Sequence, residues 1–474
     1  MTFLFASALL LASCTTTVEP DLTLAAPTVI TPTQPSSTTT SGIVGIYNAY
    51  PLDPSVNSGD TIIVKQKLKL HGVPNAAVDV AALKNNTDAD LKGNPIRYVA
   101  VGGSLTAGVR NFGLYQDGQQ TNFAAMLARQ MKIPFRQPLF TNTEFNGYGY
   151  KALSTNPFGT PVPYYKVVKN NTAILNSTNY VTLNKYTGEV DNFGVPFARY
   201  SELNLNGWVN TSNRGGRSPK IFQDRFMTTG NVSADTPPTK TNALLSQRFD
   251  FFTLETSLDY YGGSFFNAGT LTAPPNYAFL KYAKKINAKG LIANIPDISD
   301  FPYFNLISLN QIKKALGKDV VYLRPSQINN SAITITDDIL FLPTTAIDSI
   351  LNPINKLKKQ GATFDNPILT KDVISKSSVN FGINLANTDY DKWAKEFNYP
   401  VVDLYSLFKK IAAGTHTTAA GTKADPTFKT GNFFSNDGLY PTAFGQAIIA
   451  NEFIKTFNGF YKTKIPLIRE EDYL

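Results

Sequence analysis

Cysteine occurs once in 474 residues, at Cys14. No intrachain disulfide can therefore form. Histidine occurs twice, at His71 and His416. With so few soft and imidazole ligands, the set needed for a structural zinc is missing, and neither a metal nor a cofactor is expected. Charge is sparse as well. Charged residues make up 17% of the chain against 42% hydrophobic ones, a globular rather than disordered balance. Lys and Arg (44) exceed Asp and Glu (35) for a net charge of +9, yet no five basic residues run together. Zinc-finger spacing, an RNA-binding signature and a long basic helix are all absent, which argues against a nucleic-acid partner. The excess is better read as solubility or as attraction to an anionic surface.

Aromatic residues are abundant, with 32 Phe and 23 Tyr. Tyr148, Tyr150, Tyr164 and Tyr165 offer faces on which sugars stack, although aromatic-rich loops more often pack on their own domain. The length suits one large domain or two to three smaller ones.

The first residues read "FLFASALLLASC". This apolar run ends in small residues and is too short to span a bilayer. The closing "LASC" matches a bacterial lipobox, in which cleavage leaves Cys14 as the lipidated N-terminus. No Lys or Arg precedes the run, which departs from the usual signal pattern; the plainer alternative is an ordinary signal peptide with a chance cysteine. Residues 1–13 are accordingly expected to be a lipoprotein signal peptide. Residues 14–42, rich in Thr, Pro and Ser, read as an extended tether.

Residues 43–95 mix polar turns with short helical pieces and read as a lead-in packed on the main domain, 96–465. There "IRYVAV" is a buried strand and Asp117–Met131 a helix with Phe123, Met126, Leu127 and Met131 on one side. An insertion at about 132–245 begins with hairpin-like alternation and ends, at 210–245, in polar loop. "FDFFTLETS", "LIANIPDI" and "YPVVDLY" then read as strands. Between and after them, "NYAFLKYAKKINAKG", parts of "DDILFLPTTAIDSILNPINKLKKQG" and "DVISKSSVNFGINLANTDYDKWAKEFN", and "PTAFGQAIIANEFIKTFNGFY" read as helices. Strands separated by helices imply a parallel sheet in a three-layer α/β/α sandwich.

"GGSLTAGV", residues 102–109, places Ser104 just past a strand, on a glycine turn, ahead of a helix. A hydrolase holds its nucleophile in such a place. "YVAVGGSLTAG" resembles the serine motif of SGNH/GDSL-type hydrolases, "DNFGVPFAR" their second motif, "FFTLETSLDYYGG" the third and "FFSNDGLYPTAFGQAIIANEFI" the last. "LIANIPDISDFPYF" is similar to a linking segment of the lipoprotein branch common in Bacteroidetes. The resemblance keeps motif order over about residues 96–465 and implies a flavodoxin-like α/β topology.

It also implies roles. Ser104 would attack an ester or acyl carbonyl. The oxyanion would be held by the Ser104 N–H, a second-motif glycine N–H and a third-motif asparagine. A histidine oriented by Asp437 would take the serine's proton. Several of these positions have changed. Gly103 stands where the family usually has Asp or Asn. Phe197 stands for the glycine, Leu258 for the asparagine and Tyr440 for the histidine. Neither Asn nor Gln occurs between Phe249 and Ser264, so a one-residue slip in alignment does not restore the amide.

Tyrosine, with an ordinary pKa near 10, is a poor base at neutral pH. His416, in "AAGTHTTAAGTK", is the substitute base to weigh, against the plainer reading of an exposed loop histidine. His71 lies outside the four motifs. Losing one oxyanion donor costs roughly a hundred- to a thousandfold in rate. Losing a serine–histidine pair costs about a millionfold in a subtilisin-type reference case.

The expectation is a catalytically degenerate, outer-membrane-anchored lipoprotein, facing the periplasm or the outside, that binds a glycan, lipid or protein partner. Two alternatives stand beside it. One is an active serine esterase or lipase using Ser104 with a relocated base. The other is an accessory lipoprotein docked on an outer-membrane barrel.

Overall fold

A computed structural model describes residues 61–64, 75–153, 161, 164–168, 170–176, 182–197, 219–226, 248–255, 259, 275–323, 333–352, 368 and 372–474. The signal segment, the tether with Cys14, His71 and Leu258 lie outside the described residues, as do the side chains of Tyr150, Tyr164 and Tyr165.

The core is a five-stranded parallel sheet. Its strands are β1 (Tyr98–Gly102), β2 (Asn192–Gly194), β3 (Phe251–Glu255), β4 (Lys289–Ala293) and β5 (Val401–Val402). They lie in the order β2-β1-β3-β4-β5, and every adjacent pair is parallel. This is the doubly wound order 2-1-3-4-5, in which the chain reverses direction across the sheet between β1 and β3. Both β1 and β3 are buried at every residue. Strands covered on both faces read as unbroken apolar runs, which is why they were visible in the sequence.

The helices in chain order are α1 (Ser104–Ala107), α2 (Gln116–Gln120), α3 (Phe123–Met131), α4 (Pro219–Phe226), α5 (Pro275–Lys285) and α6 (Leu309–Leu316). They continue with α7 (Thr345–Leu351), α8 (Lys376–Phe397), α9 (Leu404–Ala412) and α10 (Ala443–Tyr461). Successive strand residues point to opposite faces, and neighbouring phenylalanines of β3 show the two layers. Phe251 meets Phe457 of α10 at 5.4 Å, and Phe252 meets Phe279 of α5 at 5.0 Å. On the first face α10 also packs on α3, with Phe453 stacked on Phe123 at 4.6 Å. On the other, Tyr277 of α5 packs on Trp393 and Phe397 of α8. The architecture is the three-layer α/β/α sandwich. Among the described residues no helix is long and apolar enough to cross a membrane.

Three local readings are corrected. The expected helix over 117–131 is two helices. Thr121 Oγ1 bonds back to the Asp117 carbonyl, and the Asn122 side chain caps α3 by accepting from the Ala125 N–H at 2.7 Å. The polar stretch 210–245 contains α4, with Pro219 at its first position, where proline's missing N–H costs nothing. Ile339–Phe341 and Val373–Ser375, both within stretches read as partly helical, pair as antiparallel strands.

The insertion does form hairpins. Tyr148–Leu153 pairs antiparallel with Tyr164–Val168, and Ile174–Asn176 with Thr182–Leu183. Tyr164–Val168 also pairs in parallel with Thr61–Ile62, completing a sheet with Gly113–Leu114. Asp191, at the entry to β2, anchors the insertion. It accepts from Arg97 Nε at 3.0 Å and from Arg136 Nε and Nη2 at 2.7 Å each. In the lead-in, Leu83 is buried and Asn85 donates its backbone N–H to Asp250 at 2.7 Å.

Candidate functional site

Ser104 stands one residue past β1 and opens α1; Asp259 follows β3. Both therefore stand beyond the carboxyl ends of the two strands that flank the switch point, the place where open α/β sheets bind ligands. α1 is only one turn. Gly108 closes it at φ +90°, and a Cβ there would lie 2.2 Å from the Gly118 carbonyl oxygen, so glycine is required by conformation and by space.

Ser104 is fully buried and Asp259 almost so. The Ser104 hydroxyl donates to Asp259 Oδ1 at 2.9 Å and accepts from the Phe197 backbone N–H at 2.8 Å. The Ser104 backbone N–H donates to Asp259 Oδ2. Tyr440 donates its hydroxyl to Asp259 Oδ1 at 3.2 Å. Three donors thus converge on one carboxylate. Burial pushes the Asp259 carboxyl up to about 7. The Ser104 N–H opposes the rise, the nearby Glu255 charge adds to it, and the Ser104 and Tyr440 hydroxyls oppose it.

Gly103 makes this approach possible. A Cβ on residue 103 would lie 2.0 Å from Asp259 Oδ2. The carboxylate occupies the space that any side chain at 103 would need.

Phe197 adopts a left-handed backbone at φ +60°. That conformation aims its N–H at Ser104 Oγ, and it is the conformation a glycine adopts freely and phenylalanine does not. The Phe197 ring is buried against Tyr440 at 6.3 Å and Phe222 of α4 at 5.9 Å. Phe112, also left-handed at φ +60°, meets Tyr440 edge-on at 5.9 Å. Tyr440 thus sits between the Phe112 and Phe197 rings. Beside α1 lies a cavity of about 20 Å³ lined in part by Ala107, Gly194, Pro196, Phe222 and Arg225. That volume holds about one water molecule, not an acyl chain.

Asp437 is buried and accepts three backbone N–H groups, from Phe112 at 2.9 Å and from Leu439 and Tyr440 at 2.8 Å each. Burial raises its carboxyl to about 6, against those same backbone bonds. Its part here is to hold the turn that delivers Tyr440 and the left-handed Phe112. Ser104 and Asp437 meet through Tyr440, whose N–H bonds one and whose hydroxyl bonds the other's carboxylate partner.

His416 stands elsewhere. It is half-buried in the loop after α9, where burial lowers its pKa and Glu452, Lys455 and Lys410 supply the neighbouring charge. The bonds of the Ser104 hydroxyl go to Asp259 and Phe197 instead.

Sequence reasoning missed Asp259, having set the position that the resemblance gives to asparagine at Leu258. The signal was present as a pair: an acid absent from residue 103 and an acid present at 259. Among the described residues no group of three His, Cys, Asp or Glu side chains is placed to hold a metal ion. Comparison of the chain with family models, with curated proteins and with solved structures finds no match.

Proposed function

We propose that the chain is a catalytically inactive SGNH/GDSL-like lipoprotein, held at the outer membrane through Cys14, that serves as a binding or accessory protein. One observation carries the reading. Both the hydroxyl and the backbone N–H of Ser104 are already bonded to the carboxylate of Asp259. A substrate carbonyl would need that N–H for its developing oxyanion. It would also need a path to a serine that is fully buried. Tyr440 stands where the resemblance calls for a histidine, and its hydroxyl is directed at the same carboxylate.

A second reading has one observation in its favour. Asp259 lies within hydrogen-bond reach of Ser104 Oγ, with a carboxyl raised to about 7, which suits a general base. The same assay separates the two. Purified protein should hydrolyse p-nitrophenyl acetate no faster than its Ser104→Ala variant and should not be labelled by a fluorophosphonate. Turnover abolished by both Ser104→Ala and Asp259→Asn would establish an aspartate-based acylhydrolase instead.

The anchoring part has its own test. A diacyl anchor supplies the two-chain affinity needed for stable attachment. Cys14→Ala should move the protein from the membrane to the soluble fraction, and unchanged fractionation would refute the anchor.

A further inference from the structure

We propose that Asp259 is an internal ligand of a small-carboxylate seat, and that the seat accepts an exogenous carboxylate such as formate once Asp259 is removed from it. The inference deepens the inactive-site reading and rests on it. The seat is a set of donors on separate segments. The Ser104 N–H and hydroxyl come from the turn after β1, and the Tyr440 hydroxyl from the turn held by Asp437. Their arrangement does not depend on Asp259 alone. Phe197 N–H fixes the Ser104 hydroxyl from one side, and three backbone bonds to Asp437 fix the Tyr440 turn from the other. Donors held in this way stay aimed at the same point when the acceptor leaves, as preorganised donors do.

The wall beside the Ser104 N–H is equally specific. Gly103 presents no side chain where Asp259 Oδ2 sits, and a single methyl there would overlap that oxygen at 2.0 Å. The atom in the way is the end of a side chain rather than backbone. A methyl group at 103 therefore meets the carboxylate before anything else and pushes it off the Ser104 N–H. Formate has the size and charge of the group removed from Asp259→Ala, so it is the probe that fits the seat.

The experiment uses the full chain at pH 6, below the point at which burial lets the Asp259 carboxyl ionise, in a buffer free of carboxylates. Asp259→Ala should show a saturable rise in Tm of about 2 °C or more with formate, since a ligand that binds only the folded state stabilises it. Chloride at equal ionic strength should give no such rise, and the wild type should respond to neither. Tyr440→Phe placed on Asp259→Ala should weaken the formate response severalfold. A folded Asp259→Ala that ignores formate, or responds equally to chloride, overturns the proposal.

Should Asp259→Ala fail to fold, the Ser104 amide proton in the 15N-labelled wild type gives a second reading. It should resonate downfield, as a charge-assisted bond to a carboxylate requires, and Gly103→Ala should return it upfield. An amide proton unmoved by Gly103→Ala overturns the proposal too. Esterase turnover is scored separately. Wild-type turnover refutes the inactive reading, whereas a missing formate response in a folded, inactive variant refutes only the seat.

Discussion

Replacing Asp259 by Asn removes one titrating proton from the middle of the molecule and leaves the side-chain shape nearly unchanged. The wild-type carboxyl is raised to about 7 from an ordinary 3.8, chiefly by burial. A raised folded-state pKa means that the folded protein binds the proton more tightly than the unfolded chain. The associated stability is fully present below about pH 4 and is lost as pH rises through about 7. The difference between the two pKa values corresponds to about 4 kcal/mol, as a ceiling. Asparagine carries no such dependence. The stability of Asp259→Asn minus that of the wild type should therefore rise by a few kcal/mol between pH 4 and pH 8, in favour of the variant at high pH. Asp437 and Asp300 are also raised, each to about 6, and titrate in the same window. Both are present in both proteins, so they cancel in the difference. Urea denaturation followed by far-UV circular dichroism at pH 4.5, 6, 7 and 8 measures it. A difference that is flat across this range, or that grows towards acid, would refute the assignment of a buried, proton-binding Asp259.

Tyr440→Phe keeps the ring in its aromatic cluster and deletes one donor to Asp259. Because that donor favours the ionised form, its loss should destabilise by about 1–3 kcal/mol at pH 8 and by less at pH 5; equal losses at both pH values would show that the bond is not made to a titrating acid. At Phe197 the usual ranking of small residues should invert. Phe197→Ala leaves a cavity costing about 3–5 kcal/mol, while Phe197→Gly should cost about 1 kcal/mol less than alanine because glycine relieves the left-handed backbone. Glycine at least as destabilising as alanine in thermal melts would contradict the φ of +60°. Asp191→Ala removes the acceptor shared by Arg97 and Arg136 and should cost about 1–2 kcal/mol, since both guanidinium groups are partly exposed and solvent screens them, with earlier proteolysis of the insertion; a melt unchanged within error would show that the anchor is idle.

How far the fold was legible depended on burial. β1 and β3 announced themselves because both faces are covered and every residue is buried. The long α8 and α10 likewise carried their own patterns, each with a hydroxyl cap from Ser375 or Thr442. What escaped was governed by single polar atoms. Thr121 and Asn122 divide a continuous helical pattern by bonding to the backbone, an effect no periodicity displays. α4 looked like loop because Lys220, Gln223, Asp224 and Arg225 outnumber its buried Ile221, Phe222 and Phe226. Its place is set by tertiary contacts, with Phe222 against Phe197 and Tyr148, and Arg225 over the Phe140 ring. Local propensity cannot report such contacts.

The same distinction separates what could and could not be read at the site. Position by position, Gly103, Phe197 and Tyr440 look like three independent losses. In space they are parts of one arrangement. Gly103 vacates a volume, and Asp259 fills it. Phe197 accepts an unfavourable backbone to keep an N–H on Ser104 Oγ, and its ring packs on Tyr440. Tyr440 cannot serve as a base at neutral pH, but its hydroxyl gives Asp259 Oδ1 a second donor. A buried carboxylate is tolerated only when such donors surround it. Gly103 and Tyr440 thus meet the carboxylate at 259 directly, and Phe197 meets it through Ser104. Restoring any one of them singly would leave that carboxylate in place, or leave it without a donor it relies on. Any attempt to place an acyl-transfer site at Ser104 has to begin by removing Asp259.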